Sequence, residues 1–247
     1  MDRALYVAMS GATQTMRAQA VNNNNIANAG TVGFRAEIAA LQAAPVNGPG
    51  EPTRVNALAA DGGWDATSGA LQPTGNPLDV ALRDNAWLAV QGPDGKEAYT
   101  RAGDLRLNAL GQLSNGAGHL VLSDGGAPLS VPPNASITIG GDGTVSIVPL
   151  GQGPATQATV ARLKVVDAQP AQLQRGADGL MRATPGAKLQ AASGNVLASG
   201  MLESSNVNLP QAMVSMIELA RQFELQVKMM KTVEDNATAS QSVMRMS

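Results

Sequence analysis

The sequence predicts an α+β chain, helical at both ends and mainly β in between. Three observations predict it. Turn-forming residues are confined to the middle: 24 of the 27 glycines lie between Phe34 and Asn208, and 13 of the 14 prolines between Pro45 and Pro185. Both ends carry apolar residues at alternating four- and three-residue spacing, the period of a helix face. The middle holds short runs that alternate apolar with polar, separated by Gly/Asp/Pro turns.

The C-terminal end has the longer pattern. Leu209, Met213, Met216, Ala220, Phe223, Val227 and Met230 form seven consecutive apolar positions before Glu234 breaks the series. A heptad seam of this kind belongs to a helix that packs lengthwise on another helix. Glu218, Arg221, Glu224, Lys228 and Lys231 mostly flank it, and Glu224 precedes Lys228 in the favourable i,i+4 order. Asn208 or a nearby serine is placed to cap the start, and Pro210 is tolerated in the first turn. The N-terminal pattern is weaker: Leu5, Met9, Ala12 and Met16 keep the spacing, but Gln19 and Asn23 continue it as polar positions. Ala4, Ala8, Gly11 and Ala18 are small enough for close approach of a neighbour. Asn22 to Asn25 lower helix propensity, and Gly30 and Gly33 end the helix. Nine of the 11 methionines fall in the two ends, where an adaptable side chain suits a helix meeting several neighbours.

In the middle, Ser136–Ile139 and Thr144–Ile147 flank Gly140-Gly141-Asp142-Gly143, a hairpin signal. Further short strands are expected over 78–82, 87–91, 98–101, 105–107, 119–122 and 160–166. Residues 42–75 are rich in Pro, Gly and Ala with little periodicity and read as a loop-rich connector.

Composition excludes several kinds of chemistry. Seventeen basic residues against 19 acidic give a net charge of −2, with no basic stripe for nucleic acid. Without cysteine there is no disulfide, thiolate metal site or cysteine nucleophile. His119 is the single histidine and reads as a turn or strand residue, since no positioned nucleophile and acid accompany it. No phosphate-binding loop, nucleophile elbow or dinucleotide fingerprint occurs, and the Asp-Gly pairs lack EF-hand spacing. No enzyme activity, cofactor or metal is therefore expected. No run of about 18 apolar residues could span a bilayer. The stretch Ala4–Met9 is too short and too interrupted by Ser10 and Thr13 for a secretory leader, so the chain stays in the cytoplasm or leaves it without cleavage.

Three ordered blocks carry a resemblance. The first is Ala8-Met9-Ser10-Gly11-Ala12, then Asn24-Asn25-Ile26-Ala27-Asn28 and Thr31-Val32-Gly33-Phe34-Arg35. The second is Thr74-Gly75-Asn76-Pro77-Leu78-Asp79-Val80-Ala81-Leu82, then Tyr99-Thr100-Arg101-Ala102-Gly103-Asp104-Leu105. The third is Gly200-Met201-Leu202-Glu203-Ser204-Ser205-Asn206-Val207-Asn208, running into Met213–Ile217, Arg221-Gln222-Phe223-Glu224 and Lys228. Together they resemble the rod and hook axial proteins of the bacterial flagellum. Within that family, Trp87-Leu88 and the run Arg221–Thr232 look like a proximal-rod member. Distal-rod or hook-type members usually carry Phe-Phe at the former position. Those distal-rod and hook relatives also tend to carry a Gln-Arg-Tyr/Phe-Glu form near residues 220–224, from which Ala220 departs, and Asp84-Asn85-Ala86 departs from the Gly-rich turn usual before the aromatic.

The resemblance implies that residues 1–34 and 205–247 form an inner coiled-coil domain, that 35–75 connect it, and that 76–204 form a mainly β outer domain. It implies a structural subunit that assembles with copies of itself and with other rod proteins into a hollow, torque-transmitting shaft. Export through the flagellar type III apparatus, without a cleaved leader, is implied as well. The expected assembly interface is Leu5, Met9, Ala12 and Met16, with Asn25 and Asn28 of the first block, and the C-terminal seam Leu209, Met213, Met216, Ala220, Phe223, Val227 and Met230. A coiled-coil adhesin would share the heptads and the β domain, but would carry a secretion signal and an exposed binding site, neither of which is evident.

Overall fold

In the computed structural model, residues 2–45, 55–152 and 156–246 are described. They form two terminal helices and a mainly β middle, so the α+β class holds. The chain divides into two units. One comprises residues 1–29, 36–65 and 207–247; the other comprises 30–35 and 66–206.

The first unit contains helix α1 (Asp2–Ala27), strands β1 (Glu37–Pro45) and β2 (Val55–Trp64), and helix α2 (Leu209–Met246). α1 carries Ser and Thr in its interior because their hydroxyls bond back into the helix. Ser10 donates to the Val7 carbonyl, and Thr15 to that of Gly11 at 3.0 Å. α2 opens on Asn208, whose Oδ1 accepts from the Gln211 N–H at 3.1 Å, with Pro210 in the first turn.

The two helices run antiparallel. Asn22 Nδ2 donates to the Ala212 carbonyl at 2.8 Å, while Gly11 lies near the far end of the Gln226 side chain. A Cβ added at Gly11 would come within 3.1 Å of that amide, so the small residue is what allows the approach.

β1 and β2 pair antiparallel, with Leu41 opposite Ala59 and Gln42 opposite Leu58. This corrects the expected loop-rich connector over 35–75: Glu37–Pro45 and Val55–Trp64 form a two-stranded antiparallel pair packed with α1. Alanine fills it (Ala39-Ala40 against Ala59-Ala60), so neither strand shows the two-residue alternation that marks a half-buried strand. The residues joining the two strands lie outside the described ones.

The second unit is antiparallel β. Its largest sheet orders β13 (Leu173–Arg175), β14 (Met181–Ala183), β6 (Glu97–Thr100), β5 (Ala86–Gln91), β12 (Val165–Asp167) and β15 (Gln190–Ala191). A three-stranded sheet sets β10 (Thr144–Pro149) between β9 (Asn134–Ile139) and β11 (Ala158–Arg162). The hairpin expected at Gly140–Gly143 is the β9–β10 turn. There Gly143 takes φ +89°, and Asp142 Oδ1 accepts from the Thr144 N–H at 3.1 Å. Short pairs complete the unit: β3 (Leu71–Pro73) with β17 (Met201–Glu203), β4 (Val80–Leu82) with β16 (Leu197–Ser199), and β7 (Leu105–Leu107) with β8 (Leu113–Asn115). Val80, Leu88, Val90, Leu113, Val121 and Val145 are among the side chains closing one apolar core. No regular strand forms over 119–122, where Leu120, Val121 and Leu122 make isolated bridges and His119 sits in the turn before them.

Candidate functional site: an apolar ridge and a buried ionic knot

Each unit has one feature that its sequence blocks build. In the helical unit it is a surface. Among the described side chains of α2, those wholly or partly covered are Ala212, Ser215, Leu219, Phe223, Gln226, Met230 and Val233, spaced three or four apart. Ala212 and Gln226 are the ones that meet α1, so this row is the inner face. On α1 the matching face is small and polar: Ala8, Ala12, Gln14 and Thr15 are buried.

The expected seam is therefore not the face that closes the helix pair. Leu5, Met9 and Met16 on α1 are exposed, and so are Leu209, Met213, Met216, Ala220 and Val227 on α2. Of the expected residues only Ala12, Phe223 and Met230 fall on the covered side. The two rows of α2 are offset by one residue over most of their length, roughly 100° of rotation. The covered row mixes small and polar side chains (Ala212, Ser215, Gln226) with large apolar ones (Leu219, Phe223, Met230, Val233), so it does not show as an unbroken apolar period in the sequence. Val214, Ile217, Leu225 and Met229 are exposed too, which leaves α2 apolar around most of its circumference.

The asparagines of the first block work internally. Asn25 forms a paired bond with the backbone of Glu37: its Nδ2 donates to the Glu37 carbonyl and its Oδ1 accepts from the Glu37 N–H, both at 2.8 Å. One amide side chain thus mimics a strand partner and fixes the hairpin to the end of α1. Asn28 Nδ2 donates to the Asn24 carbonyl at 2.9 Å and closes the last turn. Half-buried and bonded within the unit, these two residues shape the helix end.

In the β unit all three sequence blocks meet at Glu203. This carboxylate has no exposed side-chain surface and accepts from two guanidinium groups, Arg35 Nη2 at 2.7 Å and Arg101 Nε at 2.6 Å. Its Oε1 also accepts from the Gly69 N–H at 2.9 Å, and its backbone carbonyl from the Gly33 N–H at 2.8 Å. Arg101 spends its other donors on carbonyls of the β4–β5 turn: Leu82 at 2.6 Å, and Asp84 and Ala86 at 2.9 Å each. Arg35 also donates to the Thr67 carbonyl, and Arg175 stacks over Phe34 at 4.4 Å.

Two backbone positions show how tight this is. Gly33 adopts φ +65°, and a Cβ there would lie 2.3 Å from the Arg101 backbone, so only glycine fits. Asp84 has φ +46°, the one non-glycine residue with positive φ among the described residues. It occupies, as an aspartate, a conformation glycine takes easily, and turns its carbonyl to Arg101.

Among the described residues no group of three acidic or histidine side chains could hold a metal ion, and no helix is long and apolar enough to cross a membrane.

Comparison with known proteins agrees with the three blocks. Residues 5–35 match the family model described as flagella basal body rod protein. Residues 81–147 match the flagellar hook protein FlgE/F/G D1 domain, and residues 198–243 the flagellar basal body rod FlgEFG protein C-terminal model. The chain is 46% identical to the flagellar basal-body rod protein FlgF of Escherichia coli K12 and 46% identical to that of Salmonella typhimurium, each alignment covering 100% of both chains. It is 33% identical to the flagellar basal-body rod protein FlgG of Bacillus subtilis over 95% of this chain and 96% of the other. With near-half identity to full-length relatives, and all three family models matched in order, the chain belongs to the flagellar basal-body rod protein family.

Proposed function

We propose that the chain is a structural subunit of the proximal rod. In this reading it packs with copies of itself and with other rod proteins into the hollow shaft that transmits motor torque to the hook. It is not an enzyme: its relatives carry the names of rod subunits. The observation that carries the proposal is the exposed apolar surface of the helix pair. Leu5, Met9, Met16, Leu209, Met213, Met216 and Val227 remain uncovered after α1 and α2 have packed on each other. A side chain of this size gains about 1.5–3 kcal/mol on full burial, so a row of them favours neighbouring subunits strongly. Neighbours on more than one side would complete a coiled-coil-like inner layer. Export through the flagellar type III apparatus without cleavage follows from the same reading, because α1 is needed intact in the shaft that crosses the periplasm.

The test is Met216→Asp, expressed in a strain lacking its own copy. Met216 is exposed, so the variant should fold with unchanged far-ultraviolet circular dichroism and still be exported. It should be missing from purified basal bodies, and the cells should not swim. Full motility with normal incorporation would refute the ridge as the assembly surface.

A further inference from the structure

The chain has no cysteine and 11 methionines, so thioethers are its oxidisable sulfur. Four of them, Met9, Met16, Met213 and Met216, stand on the uncovered ridge with 38–57% of their surface exposed. Met9 and Met16 are seven residues apart and share one face of α1; Met213 and Met216 are three apart and share one face of α2. In the β unit, by contrast, Met181 is 3% exposed. Met229 is exposed as well, but lies roughly half a turn of α2 away from the ridge.

Resting on the assembly role proposed above, we infer that these four methionines are an oxidation site through which a peroxide switches the ridge off. The sulfur lone pair attacks one oxygen of hydrogen peroxide and the O–O bond breaks; the proton on the attacked oxygen passes to the departing hydroxide, which leaves as water. Sulfur is oxidised by two electrons to the sulfoxide, and the peroxide is reduced. A strongly polar S=O then replaces an apolar thioether at a position that must be dehydrated on assembly. Burying an acceptor without a donor is costly. The modification acts on the free subunit, because packed neighbours would cover the same sulfurs. Methionine sulfoxide reductases, one for each epimer, with a thiol reductant return the thioether.

The experiment treats the purified full-length chain with hydrogen peroxide and maps sulfoxides by mass spectrometry. Co-sedimentation with untreated copies and other rod subunits reads assembly, and an apolar fluorescent dye reads the ridge. Met9, Met16, Met213 and Met216 should oxidise at least about tenfold faster than Met181. The treated chain should lose dye binding and co-sedimentation, and reductase treatment should restore both. Peroxide should leave dye binding and co-sedimentation of the quadruple variant Met9→Leu, Met16→Leu, Met213→Leu, Met216→Leu where they stand in its own untreated sample, whatever that level is, while Met229→Leu should lose both as the parent does. Loss of assembly in the quadruple variant equal to that of the parent would overturn the inference, as would full dye binding by the sulfoxide form. Untreated chain that fails to co-sediment would count against the assembly role instead, while oxidation rates and dye binding still decide the inference.

Discussion

Glu203 and its two arginines form a network whose cost and benefit are both large. Three charges are taken out of water, and the arrangement holds only because nearly every donor has an acceptor: a carboxylate oxygen, or one of the carbonyls at Thr67, Leu82, Asp84 and Ala86. Glu203→Gln keeps the shape but removes the negative charge that bridges Arg35 and Arg101. We expect it to lower the unfolding free energy of the β unit by about 3–5 kcal/mol, read from denaturant unfolding followed by Trp87 fluorescence. Arg182→Ala is the contrast. Its partner Asp178, at 2.7 Å, has its carboxyl held below the usual carboxylate range by the hydrogen bond from Arg182, but the pair is part-exposed. That variant should cost about 1 kcal/mol or less. Equal losses would mean that the buried knot is not what holds the unit. Sequence reading picked out the blocks containing Arg35, Arg101 and Glu203 without assigning them roles, because a pairing across 102 or 168 positions leaves no local period. The usable signal is chemical: Arg35 and Glu203 are the lone charges of Thr31–Arg35 and Gly200–Asn208, and Arg101 is the lone cation of its block.

At the scale of elements, the heptad spacing located both helices but not the face on which they meet. Hydrophobic periodicity reports where large apolar side chains collect. The covered row of α2 instead mixes large apolar residues with Ala212, Ser215 and Gln226, which add little to an apolar count. The hairpin over 37–64 escaped notice for a related reason: alanine on both faces hides the alternation, while Asn25, which ties it down, reads in sequence only as a poor helix former. The two rows of α2 make separable predictions. Leu219→Asp places a charge on the inner row and should loosen the pair, raising amide exchange across both α1 and α2 by about tenfold or more, the equivalent of 1.4 kcal/mol. Met216→Asp lies on the outer row and should leave exchange in the free subunit unchanged. Equal exchange in the two variants would show that the inner face has been wrongly assigned.

For the whole molecule, the division into two units with different kinds of cohesion sets how the chain comes apart. The β unit closes an apolar core of fully buried side chains and adds the ionic knot. Among the described residues the helical unit fully buries only Ala8, Ala12, Gln14, Thr15 and Ala212, half-covers Leu219, Phe223 and Met230, and leaves many of its larger side chains in water. Burial of small side chains contributes little, and helices of this kind depend on packing more than on propensity. The free chain should therefore unfold in two steps. Helical circular dichroism at 222 nm reports α1 and α2. In a Trp64→Phe background the remaining indole, Trp87, is buried in the β unit and reports it alone. The helical signal should be lost at distinctly lower denaturant than the Trp87 signal, because the surface that would stabilise the helices is the one left for neighbouring subunits. Addition of other rod subunits should move the first transition upward and leave the second in place, since a partner that binds only the folded helices stabilises only that step. Superimposable transitions would mean that one cooperative structure spans the chain, and that the helix pair is held by its own residues rather than waiting on assembly.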